Sequence, residues 1–340
     1  MITIKEVADL AGVSKATVSR VLNNSGYVSA QTRKKITEIM EAYHYIPSAA
    51  AVTLSRQESR TIGIVVPEIG NSFYADIVHG ISQLADEMDL SLVLFDTQNS
   101  IKKEEKVLQL LQRQRVKGII LGPSTDYQET QEGKQLFHQL LEMHLPIVIV
   151  DRDFPKMPWD AVLYENYESS FQAAMELKNA GNKTAGVLAG NLHLKIARDR
   201  LEGFQDGARA CGLTVRKEHI LPGNFTMEEA YKVSKKFLET EKLPDAIYSC
   251  NNQMTLGFLR AAREAKIETG KDIAFIGNDR IEYADIFGVP LSYICRDNYE
   301  MGRKAMQLLE KRMQFPKNGQ EILRIPYTVS LKGSEKKAID

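Results

Sequence analysis

The sequence predicts a small all-α unit followed by a larger α/β unit with parallel sheets in two lobes. Three observations carry this. Residues 4–23 read as two short amphipathic helices meeting at a glycine. From residue 62 onward, short apolar β-rich runs alternate with amphipathic helical stretches. That alternation breaks near Trp159–Asn166, and the runs are too many for one comfortable sheet. Continuous apolar runs separated by helices imply a parallel sheet buried on both faces. A chain of 340 residues has room for two or three compact units.

The first helix starts at Ile4, because Thr3 and Glu6 have the spacing of a capping box. Ile4, Val7, Ala8 and Ala11 share one face. Gly12 suits the left-handed position that ends a helix. Ser14 caps the next helix, in which Val18, Val21 and Leu22 face inward. Lys15, Ala16, Ser19, Arg20 and Asn23 fall on the opposite face. Helix, glycine turn and helix with a small-and-basic outer face is the helix-turn-helix arrangement, whose second helix enters the major groove of DNA. On spacing alone, the stretch also suits the first hairpin of an ordinary helical domain. A third helix, capped by Ser29, carries Ile36, Ile39, Met40 and Tyr43 toward the same core. Arg33, Lys34 and Lys35 near its start suit phosphate contact or a solvated basic turn equally well. Residues 1–60 hold eight Lys/Arg against five Asp/Glu, so this part is +3 on a chain of zero net charge. A modestly basic small domain suits phosphate contact.

Pro47 to Arg56 favours helix through its leading proline and three alanines. It is too short to be stable alone in water, so it folds only when something packs on it. The apolar runs that follow are Ile62–Val66, Leu90–Phe95, Gly118–Gly122, Pro146–Val150, Ala185–Gly190, Ala246–Ser249 and Ile273–Gly277. Amphipathic stretches such as Phe73–Met88, Glu104–Arg115, Arg198–Cys211 and Thr255–Ala265 lie between them.

Ligands of open α/β sheets bind beyond the carboxyl ends of the strands. Phe73 and Tyr74 follow the first run, Asp151 the fourth, Asn251 the sixth and Asp279 the seventh. Arg200 stands at the start of the helix after the fifth run, and Phe225 in a loop after Leu221-Pro222-Gly223. Carboxylates, an amide and a guanidinium beside aromatic faces suit a small polyhydroxylated ligand. For any one of these residues, a helix cap or a surface ion pair is the plainer reading. No nucleotide-binding loop, nucleophile elbow or zinc motif occurs, and the six histidines are dispersed. An enzyme and a cofactor are therefore not expected. Asp151-Arg152-Asp153 is read as structural rather than metal-binding. Three scattered cysteines, a start (MITIKEV) without the apolar stretch of a signal peptide and the lack of a membrane-length apolar run point to a reducing cytoplasm, with no membrane partner.

VSKATVSRVLN (residues 13–23), with the later Tyr45-Ile46-Pro47, closely resembles the headpiece of LacI/GalR repressors, and the resemblance runs through nearly the whole chain. It implies a DNA-binding headpiece over 1–46, with Ser14, Lys15, Ala16, Thr17, Ser19, Arg20 and Asn23 at the DNA. It implies a hinge helix and linker over 47–60, with Leu54 as a minor-groove wedge. Ser48 and Val52 depart from the family's usual Asn and Arg there. It implies a two-lobed effector domain over 61–333, like periplasmic sugar-binding proteins. Its N-lobe would span 61–161 and 293–323, its C-lobe 162–292 and 324–333, and a tail 334–340. Arg200-x-x-Gly203-Phe204 resembles the family's effector motif, Gly277-x-Asp279 its strand-end motif, and Asn251 to Gly257 its Asn-Asp-x-Met-Ala-Leu-Gly stretch. Asn252 and Arg280 replace acids common in the family. The expected function is a cytoplasmic repressor on a near-palindromic operator, controlled by a small-molecule effector, most simply a carbohydrate. No leucine heptad follows the last strand, so a homodimer is expected. One alternative is a co-effector role for a phosphorylated phosphocarrier protein docking on the helix Glu300–Arg312, through Arg303, Lys304, Lys311 and Arg312. The other is a sugar-binding transport protein, which the headpiece opposes. Trp159 is expected near the lobe junction.

Overall fold

The computed structural model describes residues 2–45, 59–239 and 242–337. The chain divides into two compact units, 1–60 and 61–340. In the first, α1 spans Ile4–Ala11, α2 Lys15–Leu22 and α3 Ala30–Ala42. The capping box is formed: Thr3 N–H donates to Glu6 Oε2 at 2.6 Å, and Glu6 N–H to Thr3 Oγ1 at 3.3 Å. Gly12 sits at φ 69°, with nothing within 4 Å of where a side chain would start. Its backbone conformation, not lack of space, therefore demands glycine. Val7, Ala8, Ala11, Val18, Val21 and Ile36 form the core. Leu22, Ile39 and Met40 pack on it half-buried, and Tyr43, expected inside, is half-exposed. Most of the expected hinge, with Leu54, lies outside the described residues.

The second unit holds two six-stranded sheets. The first contains β1 (Thr61–Val66), β2 (Ser91–Asp96), β3 (Gly118–Leu121), β4 (Ile147–Asp151), β5 (Asp160–Tyr164) and β11 (Ile322–Ile325), ordered β11-β5-β4-β3-β1-β2 and wholly parallel. The second contains β6 (Thr184–Ala189), β7 (Thr214–Pro222), β8 (Ala246–Ser249), β9 (Ala274–Asn278), β10 (Ser292–Arg296) and β12 (Tyr327–Ser330), ordered β12-β10-β9-β8-β6-β7. Only β12 runs antiparallel, against β10. The helices are α4 (Ser72–Glu87), α5 (Ile101–Arg113), α6 (Gln131–Glu142), α7 (Asn166–Asn179), α8 (Lys195–Cys211), α9 (Met227–Leu238), α10 (Asn252–Glu264), α11 (Glu282–Ile286) and α12 (Asn298–Gln314).

Both faces of the first sheet are covered. Ile62, Ile64 and Val66 face α4 and α12, while Val65, Ile119 and Leu121 pack with α5 and α6. That double burial is why these strands read as unbroken apolar runs.

The chain passes between lobes after β5, after β10 and after β11, near residues 165, 297 and 326. The expected crossings at 161, 292 and 323 each fall before or inside a strand. A strand hydrogen-bonded along its length cannot change sheets midway, so each crossing moves to the strand's end. The tail also begins later than expected. Ser334 and Glu335 are buried, with Ser334 Oγ donating to Phe275 O at 2.8 Å and Asn182 Nδ2 to Glu335 O at 2.9 Å. The described segment to Lys337 thus belongs to the second lobe.

Candidate functional site

In the headpiece, α2 presents exposed Lys15, Ala16 and Arg20. Ser14 is exposed, and its Oγ caps α2 by accepting from Thr17 N–H at 3.2 Å. Thr17 and Ser19 are half-buried, and Asn23 ends the helix with Nδ2 donating to Ser19 Oγ at 3.2 Å. Arg33 is occupied with the turn: its Nη1 donates to Asn24 Oδ1 at 2.7 Å. Lys34 lies 3.9 Å from Glu38.

In the larger unit, all seven residues singled out as ligand contacts line one cavity of about 160 Å³ between the lobes: Phe73, Tyr74, Asp151, Arg200, Phe225, Asn251 and Asp279. They meet because every one follows a strand's carboxyl end. Three of them, Asp151 (φ 67°), Phe225 (φ 63°) and Asp279 (φ 73°), have left-handed backbones. Such strain costs of order 1–3 kcal/mol per residue and persists where surroundings over-determine it, often in binding sites.

The cavity's central group is one that sequence reasoning missed. Arg296, at the end of β10, lies 3.4 Å from Asp151 of the first lobe and 3.3 Å from Asp279 of the second. Its guanidinium carbon is 4.2 Å from the Phe73 ring centre and 4.1 Å from that of Tyr164. One buried cation thus bridges two carboxylates across the lobes between two aromatic faces. The contact to Asp279 is off-axis, and Asp279 Oδ1 and Arg296 Nη1 and Nε keep unused hydrogen-bonding capacity. Tyr74 O–H donates to Asp151 at 3.0 Å, and burial pushes its phenol far up, so it remains a donor. Asp151 is therefore held on both sides.

Arg152, also missed as a contact, donates to the carbonyls of Pro123 (3.0 Å) and Ser124 (3.4 Å), while its Nε lies 3.9 Å from Asp151 and makes no hydrogen bond. Arg200 Nε donates to Asn166 Oδ1 at 2.7 Å, and its Nη1 to the carbonyl of Cys250. It reaches them because α8 lies close on α7: a side-chain carbon on Gly203 would sit 2.2 Å from Tyr167 O. Phe204 stacks on Tyr248 at 4.7 Å, below that contact. Asn251 takes the plainer role as well. Its Oδ1 caps α10 by accepting from Met254 N–H at 2.8 Å, and its Nδ2 donates to Phe225 O at 3.1 Å. Asn252 bridges the lobes through Asn71 Oδ1 at 2.8 Å. A second clasp joins them where Asp126 accepts from Lys195 N–H (2.7 Å) and Arg198 Nη2 (2.9 Å).

The four cations of the helix read as a possible protein dock are all paired within the chain. Arg303 and Lys304 meet Glu300 at 3.9 and 3.4 Å, Lys311 meets Glu321, and Arg312 meets Asp160 at 2.7 Å. Arg280 pairs with Asp285 at 3.2 Å. Trp159 packs on Phe137 at 5.5 Å, just before β5 and so at the end of the sheet away from the cavity. Among the described residues no group of His, Cys, Asp and Glu is placed to hold a metal ion, and no helix is long and apolar enough to cross a membrane.

Comparison with known proteins gives two family matches. Residues 3–48 match bacterial regulatory proteins of the lacI family, and residues 59–335 match periplasmic binding proteins and the sugar-binding domain of the LacI family. The HTH-type transcriptional repressor PurR of Pasteurella multocida is 32% identical over 313 residues, 92% of either chain. A lac repressor dimer bound to operator and the anti-inducer ONPF superposes with a TM-score of 0.82 at 25% identity, covering 98% of this chain and 99% of that one. The transcriptional regulator CelR in complex with cellobiose gives 0.72 at 25% identity, covering 98% and 100%.

Proposed function

We propose that this chain, which belongs to the lacI family of bacterial regulatory proteins, represses transcription from an operator whose occupancy is set by a small effector between its lobes. It is a DNA-binding transcription regulator with an effector-binding domain. The observation that carries the effector reading is the convergence of Phe73, Tyr74, Asp151, Arg200, Phe225, Asn251 and Asp279, with Arg296, on one cavity joining the lobes. A group on one lobe that a ligand can engage together with the other biases the angle between them, which is what an effector must do.

The finer assignments are as follows. Lys15, Ala16 and Arg20 read base edges, Ser14, Thr17, Ser19 and Asn23 set the register of α2, and Leu54 is the minor-groove wedge. Two copies form a dimer on a near-palindromic operator, since one helix-turn-helix reads only a half-site. The working compartment is the cytoplasm, and the chain is a regulator rather than an enzyme. A cavity of about 160 Å³ suits one ring, since an engineered cavity of about that size admits benzene. A phosphocarrier partner is not part of this reading, because Arg303, Lys304, Lys311 and Arg312 already have anionic partners.

The test is selection of the operator from random duplexes with the purified chain. Sugars, their acids and phosphates, and nucleobases are then screened for a change in affinity for the selected site. A near-palindromic selected site whose occupancy one single-ring compound changes at least tenfold supports the reading. Binding without sequence preference, or occupancy indifferent to every compound that raises the melting temperature, refutes it.

A further inference from the structure

The charges inside the cavity do not balance. Its buried ionisable groups are three guanidiniums, Arg152, Arg200 and Arg296, and two carboxylates, Asp151 and Asp279. Both carboxylates lie within 3.5 Å of the same cation, Arg296. Arg152 shares Asp151 only at 3.9 Å and otherwise donates to carbonyls. Arg200 is 2% exposed, and no carboxylate ion-pairs with it among the described residues; its partners are an amide oxygen and a backbone carbonyl. At the rim stands half-buried Glu68, whose carboxyl burial pushes up toward the neutral form. A buried cation without a counter-ion is costly, so the imbalance favours a negative charge arriving from outside.

The backbone adds to it. The helices α4, α8 and α10 all begin at the cavity, with Asn71, Leu194 and Asn251 as their N-terminal caps and all three lining it. A helix N-terminus carries roughly half a positive charge. Two of these ends have a side-chain cap, Asn71 and Asn251. The α8 end, one and a half turns before Arg200, has no cap from Leu194, and its Lys195 N–H donates to Asp126 of the first lobe at 2.7 Å. Arg152 Nε and Ser124 Oγ, both buried, also lack hydrogen-bond partners in the cavity wall.

We propose that the effector is a single hydroxylated ring carrying one acidic group, a carboxylate or a phosphate, and that Arg200 beside the α8 N-terminus receives that group. Asp151 and Asp279, held by Arg296, take the hydroxyls, and Phe73 and Phe225 cover the ring. This deepens the effector reading above and rests on it. A neutral sugar makes the hydroxyl contacts but leaves Arg200 uncompensated, so the acid binds more tightly than its neutral parent.

The experiment is calorimetric titration of the full chain with matched sets at constant ionic strength: glucose, glucuronate and glucose 6-phosphate; galactose and galacturonate; ribose and ribose 5-phosphate. In at least one set an acidic member should bind at least tenfold tighter than its neutral parent, and more weakly as salt rises. The carboxylate and phosphate arms identify which acid it is. Arg200→Gln should abolish the advantage and Arg200→Lys should retain part of it, so a misfolded Gln variant does not decide the matter. The proposal is overturned if neutral sugars bind as tightly as their acids, if the acid's advantage survives in Arg200→Gln, or if no member of any set binds. Neutral sugars that bind and still change operator occupancy would leave the effector reading standing while removing the acid. Operator occupancy unmoved by any bound compound would remove the reading itself.

Discussion

Arg296→Met tests the bridge across the cleft. Methionine keeps most of the stem's packing volume and removes the guanidinium. Asp151 and Asp279, 4% and 6% exposed, are then left buried without their common cation. Breaking a buried ion pair from one side costs about 3–5 kcal/mol. Loss of the stacking on Phe73 and Tyr164 would add about 0.5–2 kcal/mol per face if counted separately. The terms share one group and are not additive, so the expected loss is about 3–5 kcal/mol in all. For a unit of this size that lowers the melting temperature by roughly 6–15 °C. Urea unfolding followed by circular dichroism measures it. The double variant with Asp279→Asn should recover part of the loss, since one stranded carboxylate is gone. An Arg296→Met protein within about 1 kcal/mol of its parent, or a double variant whose losses simply add, refutes the bridge.

Three further outcomes are expected. Glu104 of α5 is fully buried, accepting from Ser124 N–H at 2.6 Å and from Tyr127 O–H, and burial pushes its carboxyl up. Its folded pKa therefore exceeds its unfolded one, and its burial penalty is relieved as pH falls from above the folded value toward about 4.3. Urea unfolding of parent and Glu104→Gln between pH 8 and 5 should show the parent gaining relative to the variant as pH falls; a constant difference contradicts this. Arg20→Ala should weaken operator binding by roughly 1–3 kcal/mol and relax half-site preference, without changing effector titrations. Equal selectivity in anisotropy assays on mismatched operators would remove Arg20 from base reading. Leu54→Ala should weaken binding and reduce duplex bending in a circular-permutation gel, and unaltered bending would leave the segment as a linker.

The strands that were legible in the sequence are those covered on both sides. Ile62–Val66, Gly118–Leu121 and Ile147–Asp151 are buried almost throughout and read as continuous apolar runs. The edge strand β7 carries Arg216, Lys217 and Glu218 on an exposed stretch and gives no such signal. Charged edges guard against wrong pairing, and the same charges hide the strand from a search for apolar runs. β11 and β12 are short, four residues each, and only partly buried. Asp160–Tyr164 is different: it is fully buried, yet in the sequence it falls within the break in alternation near Trp159–Asn166, and the chain leaves the first sheet one residue after it. The break is real, but it belongs at the strand's end.

The same distinction explains which binding groups were found. The rule that ligands lie beyond strand ends reached six cavity residues because each follows a readable strand or stands in the helix after it, and Phe225 was reached through the Pro222-Gly223 turn that ends β7. It could not reach Arg296, because β10 alternates buried and half-buried residues and opens on Ser292. Its burial pattern follows from pairing on one side with the parallel β9 and on the other with the short antiparallel β12. Applied to a strand ending at residue 296, the rule picks out Arg296 at the end of β10 as it picks out Asp151 at the end of β4. Arg152 was passed over for another reason. Between two acids it reads as a local charge balance, whereas in the folded chain its Nη1 turns to the carbonyls of Pro123 and Ser124. Only the fold supplies carbonyl partners almost thirty residues away, and they leave Arg152 a looser contact to Asp151, at 3.9 Å, than the 3.4 Å of Arg296. Asp151 is thus shared by two cations, and Arg200 is the cavity cation that ion-pairs with no acid among the described residues.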